Sequence, residues 1–122
     1  MTNEKIVQAL EEFGYPVFYN FDDSHISSLD TWNFFSYSES TIRKVNCNYY
    51  QDIEIVFVSE KTSNPNYFEI DIIEKMESIG LKLNGDGQYE HFKKANTDDY
   101  IDTITLTFTR PIKKKKWKQL LN

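Results

Sequence analysis

The sequence predicts an α+β fold: a two-layer sandwich with a mainly antiparallel sheet and two helices on one face, in the order α-β-β-β-α-β-β. Three observations carry the prediction. Residues 49–59 and 100–110 alternate apolar and polar side chains with a period of two. Residues 3–13 and the stretch from Phe68 to Ile79 repeat apolar side chains at helical spacing. The intervening turns are short and polar, and strands follow one another directly, which favours antiparallel pairing over alternating βαβ units.

The elements can be justified in order. Ile6, Val7, Leu10 and Phe13 lie on one helical face, with Thr2 or Asn3 as N-cap, Gly14 past the last apolar position and Pro16 barring continuation. Val17 to Phe21 reads as a short strand rich in aromatic and β-branched residues. Asp22 to Asp30 mixes Asp, Ser and His and reads as a loop. Trp32 to Tyr37 is a second, aromatic strand, and Glu39 to Asn48 reads as a turn feeding a long third strand. In that strand Ile53, Ile55 and Phe57 share one face, opposite Asp52, Glu54, Val56 and Val58.

Ser63, Asn64 and Pro65 supply a cap and first turn for the second helix, whose stripe is Phe68, Ile72, Met76 and Ile79, reinforced by Ile73. Gly80 stands where a left-handed C-terminal residue is wanted. Asn84 to Gly87 is a turn, Tyr89 to Lys93 a fourth strand, and Ala95 to Asp99 a polar turn. The last strand sets Ile104, Leu106 and Phe108 against a row of Thr103, Thr105, Thr107 and Thr109, and Pro111 should close it.

A chain of 122 residues suits one domain, placed at residues 1–112, with residues 113–122 as a basic C-terminal tail. Nine Phe, eight Tyr and two Trp let so short a chain bury an adequate core. No segment has the length of an apolar membrane span, so no membrane contact is expected. The stretch from Met1 to Phe13 lacks the basic start and apolar run of a signal peptide. Cys47 is the single cysteine, which rules out an intrachain disulfide. It reads as a packing or neutral residue, because His25 and His91 form no recognisable pattern with it.

Charge divides unevenly. Residues 1–109 hold eight Lys or Arg against all nineteen Asp and Glu, a net −11, whereas residues 110–122 carry +6. An acidic body with a basic end suggests contact with another acidic surface, including another copy of the chain. A solvated, frayed terminus explains the lysines equally well. The cluster Lys113, Lys114, Lys115, Lys116, Trp117 and Lys118 could also contact phosphates and stack on a base, which makes a small nucleic-acid-binding adaptor the alternative reading. The acidic body opposes nucleic acid, so that partner is not expected.

The sequence offers no convincing catalytic site. Gly85 and Gly87 follow a helix and precede a strand, the wrong context for cradling a phosphate. Asp22, Asp23 and His25 lack the alternate spacing of a calcium loop, and Asp98, Asp99 and Asp102 flank a hairpin. Glu69, Asp71, Glu74 and Glu77 read as the solvated face of the second helix, without the enclosure that separates carboxylate pKa values. Neither an enzyme nor a metal or cofactor is expected.

The order of elements resembles the small siphophage tail-terminator and head–tail joining proteins of phages and prophages of low-GC Gram-positive bacteria. The matching segments are the N-terminal helix and strand, residues 32–40 (WNFFSYSES), residues 50–57 (YQDIEIVF), the helix and leucine-rich exit at residues 73–83 (IEKMESIGLKL), and a closing hairpin from Tyr89 to residues 103–108 (TITLTF). The likeness covers residues 1–112 and leaves out the lysine-rich end. It implies a structural subunit that assembles with itself as a ring, commonly a hexamer, at the head-proximal end of the tail. The implied partners are the major tail tube protein and the head connector or head-completion protein. Assembly would take place in the host cytoplasm and the product would sit at the head–tail junction of the virion. No catalytic residue is implied. Val56, Val58 and the threonine row (Thr103, Thr105, Thr107, Thr109) are the candidate subunit interface, and Trp32, Phe35 and Tyr37 are assigned to the core in preference to the interface.

Overall fold

A computed structural model of the chain describes residues 2–29, 31–60, 65–93 and 99–113, with backbone only for 65–67. Helix α1 (Asn3–Glu11) starts at Thr2, whose hydroxyl accepts the Lys5 N–H at 3.3 Å. Strand β1 (Val17–Tyr19) leads into a 3-10 helix (Asp23–Ser28), then β2 (Phe34–Val45) and β3 (Asn48–Ser59) form a long hairpin. Helix α2 (Pro65–Ser78) follows, then β4 (Lys82–Leu83), β5 (Gln88–Lys93) and β6 (Tyr100–Ile112). The α+β class and the mainly antiparallel sheet are as the sequence predicts.

The sheet runs β1-β2-β3-β6-β4, with β5 also on β6. Strands β4 and β5 pair with successive stretches of β6, so together they form one interrupted edge. Only β1 is parallel to its neighbour β2, because residues 20–33 carry the chain back across before it pairs.

Register separates the two faces. Ile53, Ile55 and Phe57 stand opposite Phe108, Leu106 and Ile104, and Phe35 stands opposite Phe57. All seven are buried, and Ile6, Ala9 and Leu10 of α1 with Ile72 and Met76 of α2 close over them. Fully burying an aliphatic side chain of this size contributes about 1.5–3 kcal/mol. Phe68 fills the gap between helix and sheet, its ring 4.6 Å from Phe57. Helix α2 ends as expected. Gly80 has φ 101°, the Leu81 N–H reaches the Met76 carbonyl at 3.1 Å, and buried Leu81 follows it.

Four details differ from the sequence reading. Residues 39–45 are strand, not turn: β2 pairs with β3 out to Val45, and the turn shrinks to Asn46 and Cys47, with Asn46 at φ 57°. This stretch is polar and largely exposed, so it lacks the alternation that marks a strand, and only its partner holds it. Exposed at that tip, Cys47 keeps the neutral one of the two roles expected for it. A short strand that the expected order lacks, β4, follows α2. The 22–30 loop contains the 3-10 helix, capped by the Asp22 carboxylate on the Ser24 N–H at 2.9 Å. Strand β6 continues through Pro111 to Ile112, since beyond Thr109 its only described neighbour is β3 and the proline can occupy that edge. The expected cap residues Ser63 and Asn64, and the turn from Ala95 to Asp98, lie outside the described residues.

At the hairpin end of the covered face lies Arg110, with no solvent exposure. Its guanidinium donates to Gln51 Oε1 at 2.6 and 3.1 Å, to Asn3 Oδ1 at 2.7 Å and to Glu39 Oε2 at 3.4 Å. Asn3 Nδ2 donates to the same Glu39 oxygen at 2.9 Å, and Gln51 Nε2 to the Ser40 carbonyl at 2.8 Å. Replacing Arg110 by Ala leaves Gln51 Oε1 and Asn3 Oδ1 without their donor and removes the cation facing the Glu39 carboxylate. Urea unfolding should show a loss of about 3–5 kcal/mol. Gly80→Ala, which strains a left-handed residue, should cost only about 1 kcal/mol in the same measurement.

Candidate functional site

The sheet's other face is not covered by either α-helix, and among the described residues only the crossover segment with its short 3-10 helix lies over it. Its floor pairs Val58 with Thr103, Val56 with Thr105, Glu54 with Thr107 and Asp52 with Thr109 across β3 and β6, while β2 adds Phe34, Ser36 and Ser38. The alternation places these residues here: each is one step out of phase with the core set.

The crossover segment covers one end of this face. Phe21 stacks on Phe34 at 4.2 Å, Phe18 meets Phe34 edge-on at 5.6 Å, and Leu29 and Trp32 complete a small cluster over Phe34, Val58 and Ile101. His25 belongs to this lid. Its ring stacks on Phe21 at 5.5 Å, and its Nδ1 accepts the Asp22 N–H at 3.1 Å, a capping role and not that of a metal ligand. Next to the lid lies an open groove of about 400 Å³. Val56, Ser36 and Ser38 lie on its sheet side, and Phe21, Trp32, Phe92 and exposed Glu54 also line it.

The six candidate interface residues therefore separate. Val58 is 8% exposed and Thr103 9%, both buried by the chain's own lid and neighbours. Thr109 is half-buried, and its hydroxyl donates to Asp52 at 2.8 Å. Val56, Thr105 and Thr107 remain half-buried on the open face. Ser36, Ser38 and Phe92 were missed by the sequence reading. The signal for the serines was there, in the alternation of Phe34, Ser36 and Ser38 against Phe35, Tyr37 and Glu39, but the density of aromatics hid it. Phe35 is fully buried and Tyr37 half-buried against the core, as assigned, whereas half-buried Trp32 stands at the groove. Lys113 is exposed just past β6; Lys114, Lys115, Lys116, Trp117 and Lys118 lie outside the described residues.

Two carboxylates at opposite ends of the sheet hold strands together. Asp52 pairs with Arg43, accepts from Thr109 and accepts from Asn84 Nδ2 at 3.4 Å. Asp102 pairs with His91, the residue opposite it on β5, and accepts the Tyr89 hydroxyl at 2.7 Å. This gives His91 a partner that sequence spacing did not reveal. The His91 ring also stacks on Tyr100 at 4.7 Å and is half-exposed. The pair thus anchors an edge strand in contact with solvent. Partial burial pushes both carboxyls up, but their hydrogen bonds and the neighbouring Arg43 or His91 outweigh it and leave each below the ordinary aspartate value. Among the described residues no three His, Cys, Asp or Glu side chains are grouped to hold a metal ion, and no helix is long and apolar enough to cross a membrane.

Fold and surface together define a class: a small two-layer α+β domain with one sheet face filled by helices and the other half-open. No known protein-family model matches the chain, and no curated protein matches it in sequence.

Because Asp52 and Asp102 titrate lower when folded, their contribution is fully present above the unfolded aspartate value, near 4. It is lost as pH falls through the depressed folded values. Urea midpoints should drop between pH 5 and pH 2.5, and the Asp52→Asn, Asp102→Asn double variant should show a shallower drop over that interval.

Proposed function

We propose that this chain is a phage virion structural protein, a tail-terminator or head–tail joining subunit that assembles as a ring at the head-proximal end of the tail. The observation that carries the reading is the half-open sheet face. Its floor is Val56, Thr105 and Thr107 with the two serines and one exposed carboxylate, Glu54, a surface of mostly small and apolar groups that runs into an aromatic-lined groove. Such a surface is suited to burial against another protein, since it presents few charges that would have to be desolvated. The order of elements that resembles those joining proteins supports the same role, as does the split between an acidic body and a basic end. On this reading the ring stacks on the major tail tube protein and presents its opposite side to the head connector.

Native mass measurement and light scattering test the proposal. The purified chain should form a ring-sized oligomer, commonly a hexamer, at high concentration or on adding tail tube protein. A chain that stays monomeric and binds neither tube protein nor connector overturns it.

A further inference from the structure

We propose that the groove on the face away from the two α-helices takes the basic C-terminal segment, residues 113–122, of a second copy of this chain, with Trp117 seated between its aromatic walls. The proposal rests on the reading of the chain as a self-assembling subunit and names the contact that would join one subunit to the next.

The groove and the segment match in chemistry. The groove offers Phe21, Trp32 and Phe92 around a Val56 floor, and Phe92 is 45% exposed despite its size. A tryptophan is the side chain that most often anchors an interface by filling such a pocket. Acidic Glu54 lines the same groove, and the rest of the body is strongly acidic. The segment carries Lys113, Lys114, Lys115, Lys116 and Lys118 around its single Trp117. Attraction between the two would orient the approach, with the aromatic contact supplying most of the holding energy.

Reach decides that the segment comes from another copy. Ile112 stands opposite Tyr49, at the far end of the sheet from the groove, and β6 is heading away from it. Glu54, at the near edge of the groove, is five residues from Tyr49 along β3, about 17 Å at the strand rise. Val56 and Val58, beside the aromatic lining, are seven and nine residues away, about 23 and 30 Å. From Ile112 to Trp117 is five residues, which span at most about 18 Å fully extended, before any allowance for reversing direction. A chain's own Trp117, which must also reverse direction, therefore stops short of the aromatic end of its own groove, where Phe21, Trp32 and Phe92 lie beside Phe34, Val58 and Ile101. A segment-to-groove contact between copies is heterologous: each subunit gives one segment and receives one, and the arrangement closes as a ring when the rotation per subunit allows.

Two full-length chains, both with Cys47→Ser, provide the test: one with Ser38→Cys in the groove, the other with Lys118→Cys beside the tryptophan. Mixed under mild oxidation, they should give a disulfide-linked heterodimer, and adding Trp117→Ala to the second chain should remove most of it. In sedimentation equilibrium of the otherwise unaltered chain, Trp117→Ala should weaken self-association about 30-fold or more. Exposed Glu54→Lys should weaken it as well, with reduced sensitivity to added salt. The proposal is overturned if the heterodimer is no more abundant than with a cysteine at Ser78 on helix α2, or if Trp117→Ala leaves association unchanged. A ring that persists with Trp117→Ala sinks the segment contact and leaves the ring reading standing. Trp117-dependent cross-linking in chains that form only dimers or open polymers keeps the contact and sinks the ring.

Discussion

Burying the Arg110 guanidinium completely imposes the constraint around which this domain is organised. A charge removed from water costs several kcal/mol unless its donors are met. Here they are met by Asn3 from α1, Glu39 from β2 and Gln51 from β3, while Arg110 itself belongs to β6. Burial pushes the guanidinium below its ordinary value, and the Glu39 carboxylate opposes that shift. Four elements far apart in sequence are thereby held to one geometry. A slip of one residue in β3 or β6 would turn Gln51 or Arg110 to the opposite face. The register shift in β2 between Glu39 and Ile42 lies beside this network, where the Ser40 carbonyl accepts from Gln51. Glu39, opposite Ile53, owes its facing toward the arginine to the regular register before the bulge, and the hairpin continues past it to Val45.

Fixing one face determines what the other can do. The helices occupy the Ile53, Ile55 and Phe57 side, so Val56, Val58 and the threonine row must face away from them. Among the described residues, the segment between β1 and β2 covers that side, and it reaches Phe34, Val58 and Ile101. The result is a surface closed at one end and open in the middle. Polar anchors lie at the margins: Asp52 with Arg43 and Thr109 at the hairpin end, and Asp102 with His91 and Tyr89 at the other. Their carboxylates stay ionised and hold edges in place. They leave the middle of the face to threonine, serine and valine with the single exposed carboxylate of Glu54.

The close approach at Gly87 shows how tightly the edge is drawn in. A side chain there would meet the Leu106 methyl at 2.9 Å and the Glu69 carboxylate closer still. The turn between β4 and β5 therefore lies directly against helix α2 and the core strand. A sequence reading that sees only a hairpin turn in Asn84 to Gly87 has no means of finding this, because the crowding comes from residues far along the chain.

By itself the sequence determined whatever depends on period and on local geometry. The alternation in β3 and β6 assigned each residue to a face, and the stripe of Ile72 and Met76 with Gly80 located α2 and its end. Those signals are local because a strand repeats every two residues and a left-handed cap requires glycine. Tertiary structure alone decided the rest. Residues 39–45 became strand because β3 was there to pair with them, and Pro111 was tolerated because its edge is open. His91 met Asp102 through register, and Arg110 could be buried because three distant elements converge on it. Above all, tertiary structure decided how much of the second face stays free. The sequence could say that Val56 and Val58 point the same way; only the fold placed Phe21, Leu29 and Trp32 over Val58 and left Val56 in an open groove. Which side a residue faces is set by its neighbours in the chain, but what lies on that side is set by the rest of the protein.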